Sequence, residues 1–205
     1  MKMKKLLLTS DGFINPNIAI IFLELVNKNP KDIKVLFIPT ASEFDGKSMT
    51  YLKDAEKELT GLGILKENVV WLNTKNVAAI NTLDYYDAIY VCGGNTFYLA
   101  SELKRTSFDK KVIELVNSGS VYVGVSAGTV IAGPDVSVAD GFDPNDVGLK
   151  NVRGLSITEK VITPHYQKKD DKVIDEFERK NHCEVLRLND GQALEEVDGI
   201  SKIIE

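Results

Sequence analysis

The chain is expected to fold as an α/β protein: a mostly parallel, doubly wound sheet between helices. Three observations predict it. Short, almost wholly apolar runs recur along the sequence, as strands require when both faces of a sheet are covered. Between them lie stretches whose apolar residues follow a helical spacing. The joins are short, and strands alternating with helices indicate a parallel sheet built by crossover connections. With 205 residues, the chain can bury a sizeable core and is expected to form a single domain, 1–205.

The elements follow in order. Lys5–Thr9 is a short apolar strand, and Asn15-Pro16 suits the start of a helix through Ile18–Val26. Lys34–Ile38 is a second strand. Ser48–Leu62 is a helix, with Leu52, Ala55, Leu59 and Leu62 along one side. Asn68–Leu72 is a third strand, and a short helix covers Val77–Leu83. Asp87–Cys92 is a fourth strand, running directly into Gly93-Gly94-Asn95-Thr96. Helices are predicted over Phe97–Lys104 and Phe108–Asn117, the second with Val112, Leu115 and Val116 inward. Val121–Val125 is a buried strand that ends in Gly124-Val125-Ser126-Ala127-Gly128, after which a helix can begin.

The alternation then breaks. Gly133–Asn151, with its Pro, Gly and Asp residues, reads as a long loop with room for a small hairpin. Lys160–Ile162 is a short strand leading to Thr163-Pro164-His165-Tyr166, and Asp170–Lys180 is an amphipathic helix. Glu184–Leu188 is a strand before Asn189-Asp190-Gly191. Gln192–Leu194 and Ser201–Ile204 close the chain around a turn at Asp198-Gly199.

Composition excludes some functions. The hydrophobic share is 43% and the charged share 27%, ordinary values for a soluble protein. A net charge of −5 argues against nucleic acid as a partner, since phosphate binding needs an excess of Lys and Arg. No apolar run approaches the roughly 20 residues of a membrane span. The apolar stretch after the N-terminal lysines stops at Thr9-Ser10-Asp11, too short for a signal peptide. Cys92 and Cys183 match no metal or redox spacing and read as reduced, buried thiols of a cytoplasmic protein.

In an open parallel sheet, ligands bind beyond the carboxyl ends of the strands. Gly93-Gly94-Asn95, Ser126, His165 and Asp190 all fall just past predicted strand ends. A serine at a sharp strand-to-helix turn has its hydroxyl exposed. It attacks only when a base removes its proton. There are two histidines. His165 follows a strand and a proline, whereas His182 reads as a solvated cap at a helix end. Asp190, Asp140 and Asp143 are candidates to orient the imidazole. Gly94 and Ala127 can supply backbone N–H groups to an oxyanion, and Gly93 and Asn95 are candidate substrate contacts. Gly93-Gly94 fits neither a dinucleotide fingerprint nor a Walker loop.

Together these residues resemble the peptidase E family, which includes dipeptidase E and, more distantly, cyanophycinase. The resemblance rests on Gly93–Thr96, Gly124–Gly128, Pro164-His165-Tyr166 and Leu188–Leu194, in that order. It implies a fold like the glutaminase domain of class I amidotransferases. It also implies a serine peptidase with Ser126 as nucleophile, His165 as base and the third role carried to Asp190. A different assignment within the family puts an Asp soon after the nucleophile, here Asp140 or Asp143. The family's dipeptidases carry an arginine after Pro-His-Phe for recognition of an N-terminal aspartate. Here Gln167–Asp171 contains none, which leaves Lys168, Lys169 or Arg153 as electrostatic substitutes, without arginine's bidentate geometry.

The expected activity is hydrolysis of dipeptides or short peptides through an acyl-enzyme, with no metal or organic cofactor. The expected partner is a small peptide, with a homodimer as the candidate assembly. An amidase or esterase on the same scaffold and a catalytically silent binding or sensor protein are the competing functions. A glutamine amidotransferase fits less well, because the elbow holds serine where that chemistry uses cysteine.

Overall fold

The computed structural model describes residues 2–44, 49–72 and 74–205. Its strands are β1 (Lys5–Thr9), β2 (Val35–Ile38), β3 (Val69–Trp71), β4 (Ala88–Val91), β5 (Val121–Val125), β6 (Val161–Thr163), β7 (Val185–Arg187), β8 (Ala193–Val197) and β9 (Ile200–Ile204). Its α-helices are α1 (Pro16–Val26), α2 (Met49–Gly61), α3 (Val77–Asn81), α4 (Thr96–Arg105), α5 (Phe108–Asn117), α6 (Ala127–Ala132) and α7 (Asp171–Asn181). The predicted start of the second helix at Ser48 lies outside the described residues.

The main sheet has seven strands in the order β3-β2-β4-β5-β1-β8-β9. The strands from β3 to β1 are parallel, whereas β8 is antiparallel to β1 and β9 to β8. The apolar runs explain the order. β2, β4 and β5 are buried throughout and lie inside the sheet, covered on both faces. β9 is largely exposed and forms an edge.

The core divides at the sheet because strand side chains alternate between faces. Leu7, Phe37, Tyr90 and Val123 pack with Ile18 and Phe22 of α1 and with Leu52 and Leu59 of α2. Leu6, Leu36, Ile89 and Tyr122 pack with residues of the remaining helices, among them Phe97, Val112, Val130 and Ile174. Each fully buried phenylalanine or leucine contributes about 1.5–3 kcal/mol relative to its exposed state.

Local signals set the helix ends. Asn15 caps α1 by accepting from Asn17 N–H, and Pro16 occupies the first turn. Asn95 caps α4 by accepting from Tyr98 N–H. His182 ends α7 in the left-handed region at φ 52°, as an exposed C-cap.

Three parts differ from expectation. β6 and β7 do not join the main sheet but pair with each other as a separate two-stranded parallel sheet. The predicted strand Gln192–Leu194 is longer, because β8 pairs with β1 through Ala193–Val197. The Gly133–Asn151 segment forms a 3₁₀ turn at Val136–Ala139 in place of a hairpin, tied down by an isolated antiparallel bridge between Asp135 and Arg153.

Candidate active site

Ser126 stands where β5 turns sharply into α6, with φ 50° and ψ −110°. Such a conformation costs a non-glycine residue about 1–3 kcal/mol and persists only where its surroundings hold it. Here they do. Ser126 N–H donates to Thr9 O at 3.2 Å. Thr129 Oγ1 donates to Thr9 O at 2.7 Å and reaches Gly124 O at 2.9 Å. The buried Tyr122 hydroxyl donates to Gly128 O at 2.6 Å. The glycines of the motif answer to packing. A Cβ on Gly124 would meet Gly128 O at 2.5 Å, and one on Gly128 would meet Val91 O at 2.2 Å.

His165 follows β6 and also has a positive φ, 54°. Its Nδ1 lies 2.6 Å from Asp190 Oδ1, so the carboxylate accepts a hydrogen bond from the ring and leaves Nε2 for other contacts. Asp190 follows β7. The two segments are joined by Leu188 N–H donating to Thr163 O at 2.9 Å and Tyr166 N–H donating to Leu188 O at 3.0 Å. Ser10, just past β1, links them to the main sheet. Its hydroxyl accepts from His165 N–H at 2.7 Å and donates to Asp190 Oδ1 at 3.2 Å.

Ser126 and His165 line one cavity of about 190 Å³, together with Thr96, Ala127, Val130, Val138, Ala139, Phe142, Asp143, Thr163 and Pro164. Of the candidate carboxylates, Asp190 is the one hydrogen-bonded to His165. Asp143 faces the cavity and accepts Thr96 N–H at 2.8 Å, at the start of α4. Asp140 is exposed, and its N–H donates to Ser137 O at 2.9 Å.

Gly94 has φ 135°, and a Cβ there would lie 2.3 Å from the Ala41 carbonyl. Among the described residues, neither Gly94 N–H nor Ala127 N–H has a hydrogen-bond acceptor. Gly93 and Asn95, expected as substrate contacts, have their polar groups engaged inside the protein. Gly93 N–H donates to the Tyr51 hydroxyl at 3.2 Å, and its carbonyl accepts from Ser42 Oγ at 2.6 Å. Asn95 is 3% exposed, and its amide donates to Pro144 O at 2.8 Å while its side-chain oxygen caps α4. Both shape the loops around the cavity.

The thiols divide. Cys92 is fully buried, and burial pushes it well above the ordinary thiol range, which disfavours the thiolate a nucleophile needs. Cys183, expected to be buried, is only half-buried. Among the described residues, no helix is long and apolar enough to cross a membrane.

Sequence reasoning overlooked Ser10 and the apolar wall of the cavity. Ser10 satisfies the same strand-end criterion as the other site residues, but its neighbours come from a sheet whose position the sequence does not reveal. The wall is built by Val130 of α6 together with Val138, Ala139 and Phe142 of the segment that turns back over that helix, and a loop read only by composition gives no sign of that.

A serine on a strained strand-to-helix turn, sharing a cavity with a carboxylate-bound histidine, defines a hydrolase-type α/β site. The comparisons are specific about which one. The family model for peptidase family S51 matches residues 6–204. An uncharacterized peptidase of Listeria monocytogenes is 37% identical over 167 residues, covering 80% of this chain and 78% of that protein. Peptidase E of Streptomyces coelicolor is 33% identical over 122 residues, covering 55% of this chain and 49% of that protein. The crystal structure of a candidate peptidase E protein from Listeria monocytogenes superimposes with a TM-score of 0.80 at 28% identity, covering 99% of this chain and 98% of the other. This chain belongs to peptidase family S51, and it is a serine-type peptidase.

Proposed function

We propose that the protein is an exopeptidase that hydrolyses dipeptides or short peptides through an acyl-enzyme. The observation that carries this reading is the 2.6 Å contact between His165 Nδ1 and Asp190 Oδ1 beside a strained Ser126 in the same cavity. Ser126 Oγ attacks the scissile carbonyl while His165 Nε2 takes its proton. Asp190 holds the imidazole in the required tautomer and stabilises its protonated form. The Gly94 and Ala127 N–H groups, without acceptors of their own, suit the oxygen that gains charge. His165 then returns the proton to the leaving amine. Water, deprotonated by the same histidine, attacks the ester and releases the acid.

Turnover across a dipeptide library, for the wild type and Ser126→Ala, tests this. The substitution is expected to lower kcat by roughly 10⁴–10⁶-fold, and His165→Ala by a comparable factor, because the residues act as a unit. Equal turnover by Ser126→Ala would sink the reading. Stoichiometric phosphonate labelling that depends on Ser126 separates an active serine from a silent binding site.

A further inference from the structure

We propose that the cavity beside Ser126 selects peptides with a free N-terminal amino group on an uncharged aliphatic residue such as Leu, Met or Val. This rests on the peptidase reading above and names the substrate class of the same site. In a substrate cut after its first residue, the side chain and the α-ammonium share one carbon. That carbon is bonded to the carbonyl carbon that Ser126 attacks. The groups that recognise both must therefore lie within a few ångströms of Ser126, in the cavity it lines.

That cavity has two chemically distinct parts. Val130, Val138 and Ala139 are buried apolar residues, and with Phe142 they give it an apolar wall. Among the described residues that line it, the acidic one is Asp143, fixed by the bond from Thr96 N–H to Oδ2. A carboxylate held there on one oxygen can take an ammonium on the other by a charge-assisted hydrogen bond. Among the described residues, no lysine or arginine lines the cavity. Arg153, Lys168 and Lys169 are exposed and do not line it. An acidic side chain entering here would lose its hydration against an apolar wall and face a like charge. An aliphatic one would exchange water for that wall. A volume of about 190 Å³ accommodates a medium-sized side chain.

The test compares kcat/KM for Leu-Leu, Met-Leu, Val-Leu, Asp-Leu and Lys-Leu, and for N-acetyl-Leu-Leu, with the wild type and Asp143→Asn. Asparagine keeps an oxygen for Thr96 N–H, so the loop is retained. The aliphatic peptides are expected to exceed Asp-Leu by about 10–200-fold. Acetylation of Leu-Leu is expected to cost about 10–100-fold, and Asp143→Asn to remove a similar factor from free-amine peptides while leaving the acetylated one nearly unchanged. Asp-Leu matching or exceeding Leu-Leu overturns the proposal, as does an equal loss by free and acetylated peptides in Asp143→Asn. Calorimetric binding of the same peptides to Ser126→Ala separates the two readings. If the wild type turns over none of them, the exopeptidase reading fails. The cavity assignment is then judged on binding alone: it stands if Leu-Leu binds more tightly than Asp-Leu, and otherwise falls with it.

Discussion

At the residue scale, Ser10 is the least conspicuous part of the site and one of the most connected. One hydroxyl holds both the backbone of His165 and the carboxylate of Asp190. Ser10→Ala is expected to lower kcat by about 10–100-fold, the worth of a hydrogen bond to a charged group. KM should change little, since Ser10 acts through His165 and not on substrate; a loss confined to KM would count against this role. The thiols give a second expectation. Brief alkylation of the native protein should modify the half-buried Cys183 and spare Cys92 until denaturant is added, read by mass spectrometry of the two peptides. Ser126 and His165 were legible in the sequence because each sits in a short, ordered motif past a strand. Ser10 was not, because its importance comes from partners 155 and 180 residues away.

At the scale of elements, the β5–α6 turn depends on close backbone contact more than on its serine. Gly128 lets α6 approach β4 so closely that a methyl group would lie 2.2 Å from Val91 O. Gly128→Ala is therefore expected to destabilise the fold by roughly 3 kcal/mol or more, through a rigid overlap with backbone. Denaturant unfolding would show it as a lower midpoint, and an unchanged midpoint would show that α6 can shift at little cost. The apolar runs made β2, β4 and β5 readable as interior strands, since only strands covered on both faces dispense with polar alternation. The same reasoning could not show that β6 and β7 leave the main sheet. A strand of three residues carries no mark of its partner.

At the scale of the whole molecule, α2 is tied to the turn after β1 by Glu58, whose carboxylate accepts from Phe13 N–H at 3.1 Å. Burial, with Asp11 and Asp54 nearby, raises its pKa above the ordinary carboxylate range, although the Phe13 bond opposes this. The folded state thus holds the proton to a higher pH than the unfolded state. Stability falls as pH rises from the unfolded pKa through the folded one, and stays lowered above it. Glu58→Gln removes that penalty and keeps an acceptor for Phe13 N–H. Its Tm is expected to exceed the wild type's by roughly 1–3 °C at pH 7 and by less at pH 4; a gap that widens on acidification would reverse the sign of this account. On its own, the sequence determined the mostly parallel α/β class, the order of its elements and the motifs carrying Ser126, His165 and Asp190. Those follow from periodicity and local turn chemistry, which act over a few residues. The tertiary structure alone decided which carboxylate meets His165, that Ser10 couples the two sheets, and that residues 130–142 close an apolar cavity beside Ser126. These depend on packing between segments far apart in the chain, and no local pattern records which distant surfaces will bury one another.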